Sequence, residues 1–206
     1  MAATVTLRTA RLVGGMALVV GSLAEVRRRG VPRWEAALFR AVNGAPDTWR
    51  GPVRAVMQAG TLGTVPATAA VAALAGKRGL ALRLLAGGML AWFGAKALKP
   101  LGGRERPEQV LAGIRIRERI EGDLGWVSGH AAVSTALALT AADELPRWCR
   151  PLLAGVVATA LFGRMYVGAH LPYDLVGGVG TGMAVAALFV ETGWLATAGP
   201  PSVTSG

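Results

Sequence analysis

The chain has 206 residues, 52% of them hydrophobic, 29 glycines scattered through apolar runs, and a net charge of +10. That composition excludes an ordinary soluble domain and, since no Gly-X-Y period orders the glycines, a collagen-like fibre; it suits membrane helices, where Gly and Ala let backbones approach closely. The arginines gather at the ends of apolar segments, so lipid headgroups rather than nucleic acid are the polyanion they fit.

A membrane-spanning helix needs about 20 mostly apolar residues. Six such segments occur, at roughly residues 7–26, 52–75, 80–98, 129–145, 151–167 and 172–196. The expected fold is therefore all-α: a multi-pass integral membrane protein, one domain with a six-helix bundle. The first segment also has the look of a signal peptide, with Arg8 and Arg11, an apolar run and the small-residue stretch Ser22-Leu23-Ala24. Next comes RRRGVPRWEAALFRAVNGAPDTWR. There Trp34, Leu38, Ala41 and Val42 share a face at helical spacing, flanked by Arg33 and Arg40, which suits a short helix lying in the interface. An ordinary polar loop anchored by Trp34 and Trp49 is the alternative. The connection 99–127 is Gly-rich and charged, and the tail TAGPPSVTSG reads as disordered. The one cysteine, Cys149, can form no intrachain disulfide.

Three clusters carry chemistry. In KPLGGRERP, Lys99 ends the third segment and Arg106-Pro107 follows after six residues, with a Gly-Gly pair between them that would let the chain fold back. Two cations could then converge on one anion; a snorkelling helix end is the plainer alternative. In WVSGHAAVST, Ser128 is the expected N-cap of the fourth helix, with Gly129 and His130 opening it. First-turn N–H groups there have no intrahelical partner and form a ready anion site. In RMYVGAHLPYD, Pro172 suits the first helical position and Leu171 marks the boundary before it. Asp174 can then hold one imidazole nitrogen of His170 and leave the other free as nucleophile or base. Arg164 lies about one and a half turns before His170. With six crossings, the end of the third helix, the start of the fourth, the end of the fifth and the start of the sixth share one face of the bilayer. The three clusters can form one pocket, and they use both histidines of the chain.

In these residues the sequence resembles the PAP2 superfamily, the type 2 phosphatidic acid phosphatases, over roughly residues 50–196. The family pattern is K-x6-R-P, then P-S-G-H, then S-R-x5-H-x3-D. Lys99 to Pro107 matches the first motif in full; Val127 replaces the proline of the second, and Gly163 the serine of the third. The resemblance implies a phosphatase in which His170 attacks phosphorus, Asp174 orients it, and His130 protonates the leaving oxygen and then activates water. It assigns the phosphoryl oxygens to Lys99, Arg106 and Arg164, with donors from Ser128 and Gly129. It implies no cofactor, and the sequence offers no carboxylate cluster suited to magnesium. The lost serine removes a hydroxyl that could bond phosphate.

Rival uses are a vanadate haloperoxidase, argued against by the membrane segments; a lipid phosphotransferase; a two-His, one-Asp metal site; and a transporter or lipid-binding protein, which would place its charges near mid-helix. GGVGTG at 177–182 lies inside an apolar run with no strand before it, so close helix packing is the better reading than a phosphate loop. The Arg-, Ala- and Gly-rich usage suggests a GC-rich bacterial source, where polyprenyl phosphates or diphosphates that carry cell-wall sugars are leading substrates; phosphatidate and phosphatidylglycerol phosphate are the alternatives. Partners beyond lipid and bilayer would be a second copy or a neighbouring membrane enzyme. The face of the membrane is contested. With both termini inside, as the family suggests, six Lys and Arg lie on the inner connections and twelve on the site side. The positive-inside rule prefers the reverse, which turns the pocket toward the cytoplasm.

Overall fold

The computed structural model describes residues 2–28, 30–119 and 122–190. The last turns of the sixth apolar segment and the tail lie outside the described residues. Within them the chain is helical, with no strand. The elements are α1 (Ala2–Val26), α2 (Arg33–Asn43), α3 (Arg50–Met57), α4 (Thr64–Leu74), α5 (Arg78–Gly102), the single turn α6 (Pro107–Val110), α7 (Gly129–Ala142), α8 (Cys149–Tyr166) and α9 (Pro172–Leu188).

The central element is α7. Ala131, Ala132, Val133 and Ala136 are almost fully buried, and α5, α8 and α9 pack around them. A helix apolar on all sides belongs in such a place. Around this centre, α1 packs on α9, α4 on α5 and α3 on α8. Leu74, Val71, Leu82 and Leu152 point outward and are exposed.

Glycine sets the closest approaches. A Cβ on Gly180 would stand 2.6 Å from the carbonyl oxygen of Gly15, and one on Gly15 2.6 Å from that of Gly180. A Cβ on Gly178 would stand 2.5 Å from the Ser128 carbonyl. The glycines of GGVGTG therefore let α9 touch α1 and α7 backbone to backbone. α1 is a full member of the bundle: besides the glycine contact, the Arg11 guanidinium donates two bonds of 2.7 Å to Asp143, just past α7. Nearby Arg83 pairs with Glu144.

Two expectations need correction. The second apolar segment is not one continuous helix. α3 runs into the tight turn Gln58–Gly60, and α4 begins only at Thr64. The cause is local. Pro66 has no N–H and its ring would crowd the carbonyl of Leu62, which favours a break there. The Thr61 hydroxyl donates to the Gln58 carbonyl at 2.9 Å, and Thr64 to the same oxygen, giving the backbone another partner. Gly60 in the break lies against α7, where a Cβ would be 2.7 Å from the His130 carbonyl. Second, helix length alone does not yield six spans. Of the described helices, Thr4–Val26 and Arg78–Gly102 are long and apolar enough to cross a membrane; Thr64–Leu74 and Gly129–Ala142 are apolar but shorter. α2 does form, with Trp34 and Leu38 exposed and Glu35, Ala36, Phe39 and Asn43 turned inward.

Candidate active site

Lys99 stands in the last turn of α5. Gly103 closes that helix with φ 57°, a left-handed conformation that glycine adopts without strain. Gly102 beside it has no room for a side chain, since a Cβ would lie 2.6 Å from the Trp126 ring. The two glycines thus do separate jobs, one turning the chain and one admitting the indole. The returning strand of loop is zipped by an antiparallel bridge between Glu105 and Leu124 and by the Gly125 N–H, which donates to the Arg104 carbonyl at 2.7 Å. Lys99 Nζ donates to the Leu124 carbonyl at 2.7 Å. Arg106 donates to the carbonyls of Gly122 (2.6 Å) and Ala169 (3.0 Å).

Ser128 is the N-cap of α7, its hydroxyl accepting from the Ala131 N–H at 3.4 Å. It is fully buried, and its own N–H donates to the Asp174 carbonyl at 3.0 Å. His130, in the first turn, sits with its ring 6.1 Å from the Trp92 ring. At the end of α8, Arg164 Nη1 is 3.5 Å from Glu118 Oε2, while its buried Nε has no hydrogen-bond partner among the described residues. The Arg164 carbonyl accepts from the N–H groups of Ala169 (2.9 Å) and His170 (3.3 Å), which turns the chain back. Leu171 is extended, Pro172 opens α9, and the Asp174 carboxylate caps it by accepting from the Leu171 N–H at 2.9 Å. His170 Nδ1 then faces Asp174 Oδ2 at 3.5 Å, both side chains buried.

These elements end around one cavity of about 690 Å³. Six of the eight residues picked out from sequence line it: Lys99, Arg106, Gly129, His130, Arg164 and His170. Asp174 stands behind His170 instead. Ser128 is also behind the wall, its hydroxyl oxygen accepting as the N-cap of α7. Gly163 has a packing reason: a Cβ there would press on Val53 at 3.2 Å and Met57 at 3.3 Å. No three His, Cys, Asp or Glu side chains gather as a metal would need among the described residues, so the two-His, one-Asp alternative does not assemble.

The electrostatics favour an anion. Burial, then the charges of Arg164, Lys99 and Arg106, push His170 well below the ordinary imidazole value of 6.5. It is therefore neutral at neutral pH. Burial also lowers Arg106, which nonetheless stays a cation.

Several residues at the site escaped the sequence. Glu35, from α2, is fully buried and binds Arg104 through both oxygens, at 2.9 and 2.5 Å; Arg104 donates also to Asp174 at 3.2 Å. Arg117 donates to the carbonyls of Asn43 (2.7 Å), Tyr166 (2.6 Å) and Ala45 (2.8 Å) and to Asp47 (2.7 Å), pinning the 111–119 connection across the ends of α2 and α8. Thr61, Trp92, Lys96, Glu118, Arg119 and Asp123 also stand in the cavity wall.

The fold is shared with two solved structures. The chain resembles the first transmembrane PAP2 type phosphatidylglycerolphosphate phosphatase from Bacillus subtilis at a TM-score of 0.70 and 17% identity, over 87% of this chain and 94% of that one. It resembles Aquifex aeolicus LpxE at a TM-score of 0.63 and 18% identity, over 74% of this chain and 93% of that one. No curated protein matches the sequence at a significant level. The family model of the PAP2 superfamily matches residues 80–197, a stretch that holds all three motifs and every residue named above from Lys99 to Asp174, and the chain belongs to that superfamily.

Proposed function

We propose that this protein is an integral membrane phosphatase that hydrolyses a phosphate or diphosphate ester of a lipid through a phosphohistidine. The observation that carries this is the convergence of His170, His130 and three cations on one cavity at one end of the bundle, with Asp174 behind His170. His170 Nε2 attacks phosphorus while the bond to the lipid oxygen breaks, and His130 gives its proton to that oxygen. Water then loses a proton to His130 and displaces His170, releasing inorganic phosphate and regenerating both imidazoles. Lys99, Arg106 and Arg164 balance the charge on the phosphoryl oxygens, which is most of what phosphoryl transfer asks of a protein.

Six crossings, α1, the interrupted α3–α4 pair, α5, α7, α8 and α9, would set the cavity at the membrane surface, where a lipid headgroup reaches it. Polyprenyl phosphates or diphosphates are the favoured substrates. Phosphatidylglycerol phosphate is the second reading, carried by the likeness to a phosphatase of that lipid. The test is phosphate release from a panel of these lipids and phosphatidate, in detergent with chelator present. The expected result is release from one class, unaffected by chelator, and a loss of at least about a thousandfold in His170→Ala, the scale seen when a covalent nucleophile is removed. Equal rates in the variant would end the proposal.

A further inference from the structure

The carboxylate behind the nucleophile does not act alone. Asp174 Oδ2 takes the Leu171 N–H and faces His170; Oδ1 takes one bond from Arg104. A guanidinium beside a carboxylate usually closes on it with two parallel bonds. Here it does not. Both terminal nitrogens of Arg104 are instead committed to Glu35, at 2.9 and 2.5 Å, and Asp174 receives only a second, longer bond from Nη1. Glu35 is held in turn by the Tyr173 N–H at 2.9 Å, next to Asp174 in sequence, and its helix is steadied by the edge-to-face contact of Trp34 with Tyr173, 5.2 Å between centroids. Glu35 and Asp174 are fully buried and Arg104 nearly so.

The charges can be counted. Two carboxylates and one guanidinium leave the cluster with one net negative charge. The cavity charges that act most on His170, those of Arg164, Lys99 and Arg106, are positive, with Glu118 paired to Arg164 and Asp123 in the same wall. When His170 bonds to phosphorus its ring becomes cationic among those cations. Among the described residues the carboxylate against its back is Asp174, and Glu35 is what stops Arg104 from cancelling it. Desolvation weakens the Arg104 cation, but Glu35 and Asp174 more than restore it.

We infer that Glu35 and Arg104 are positioning residues for the nucleophile, fixing the orientation of the carboxylate behind His170 and leaving it one uncancelled negative charge. The inference rests on the phosphohistidine reading. It also explains why α2, outside the matched family segment, is built into the site end of the bundle. A buried ion pair adds little stability over apolar packing, whereas a charge fixed behind a reacting imidazole acts on every turnover.

The experiment is steady-state kinetics on a lipid that wild type hydrolyses. Glu35→Gln keeps the shape and the Tyr173 contact but removes the charge. Its kcat should fall by about tenfold to a hundredfold, the range for losing an outer partner of a catalytic group, with KM changed by less than about twofold. In Glu35→Gln/Arg104→Gln the cluster again carries one negative charge, and kcat should recover to within about fivefold of wild type. A merely structural pair predicts the opposite, the double variant being at least as impaired as the single. Glu35→Asp, which keeps the charge, should hold kcat within about threefold, and it carries the test if Glu35→Gln is not monodisperse in detergent. A Glu35→Gln kcat equal to wild type, a double variant no better than the single, or a Glu35→Asp loss beyond tenfold overturns the inference. Absence of any release by wild type would instead refute the phosphatase reading on which it stands.

Discussion

His170 owes its character to what surrounds it. Burial and three nearby cations all disfavour the protonated ring, so its titration is displaced below 6.5. The sign is plain: a depressed pKa keeps the nucleophile neutral at lower pH than a free imidazole would allow. Because the chain has two histidines, His130→Gln leaves His170 as the only imidazole of a protein purified without a histidine tag. Its carbethoxylation rate against pH should show a midpoint below 6.5, and a midpoint at or above it would mean that the cations do not act on this ring. At this scale the motif residues were legible because their spacing is short and their helix ends are announced by Ser128 and Pro172. Glu35 and Arg104 were not, since they meet across 69 residues and neither has a local pattern that names its partner. Gly163 shows the same limit. Its place in the motif suggested a missing phosphate donor, whereas its reason in the fold is the approach of Val53 and Met57.

Among the elements, contact between helices depends on which glycines face a neighbour. Gly178 has the Ser128 carbonyl 2.5 Å and the Ala131 Cβ 2.6 Å from where its own Cβ would be, while Gly155, on the outer side of α8, meets nothing within 4 Å. Gly178→Ala should therefore destabilise by about 1–3 kcal/mol, the usual cost of overpacking. Gly155→Ala should be neutral or stabilising by up to about 1 kcal/mol through helix propensity. Thermal unfolding in detergent checks both; equal midpoints would mean that α9 and α7 do not approach as closely as described. The interruption between α3 and α4 was legible in principle, through Pro66 and the glycines at 60 and 63, but hydropathy alone runs straight across it. Irregular backbone at such depth is tolerated where protein or a cavity satisfies it, and Thr61 lines the cavity.

For the whole molecule, the open question of orientation becomes sharper once buried cations are known. Arg104, Arg106 and Arg117 on the site side are buried, as is Arg11 on the other, where it is paired with Asp143. Setting these aside leaves nine cations on the site side and five opposite if the chain crosses six times, so the excess persists and the positive-inside rule predicts a cytoplasmic cavity. Arg115 is exposed on the site side, and Cys149, partly exposed, starts α8 at the other end. In intact cells an impermeant thiol reagent should label Arg115→Cys/Cys149→Ser only after permeabilisation and should label wild-type Cys149 directly. Labelling of the introduced cysteine in intact cells reverses the orientation.

What the sequence by itself determined is the helical membrane class and the motif residues that the fold gathers at one cavity. Both are written locally: apolar runs of fixed length, a capping serine, a proline at a helix start, and charges at short spacings beside them. What only the tertiary structure decided is which faces meet and who completes the site. In segments that are apolar all round, no period distinguishes a side that meets lipid from a side that meets another helix, so the central place of α7 and the backbone contact of α1 with α9 could not be read in advance. Buried charges are satisfied by whichever partner the packing delivers, and here packing brings Glu35 of α2 to Arg104, Asp143 to Arg11, and the carbonyl ends of α2 and α8 to Arg117.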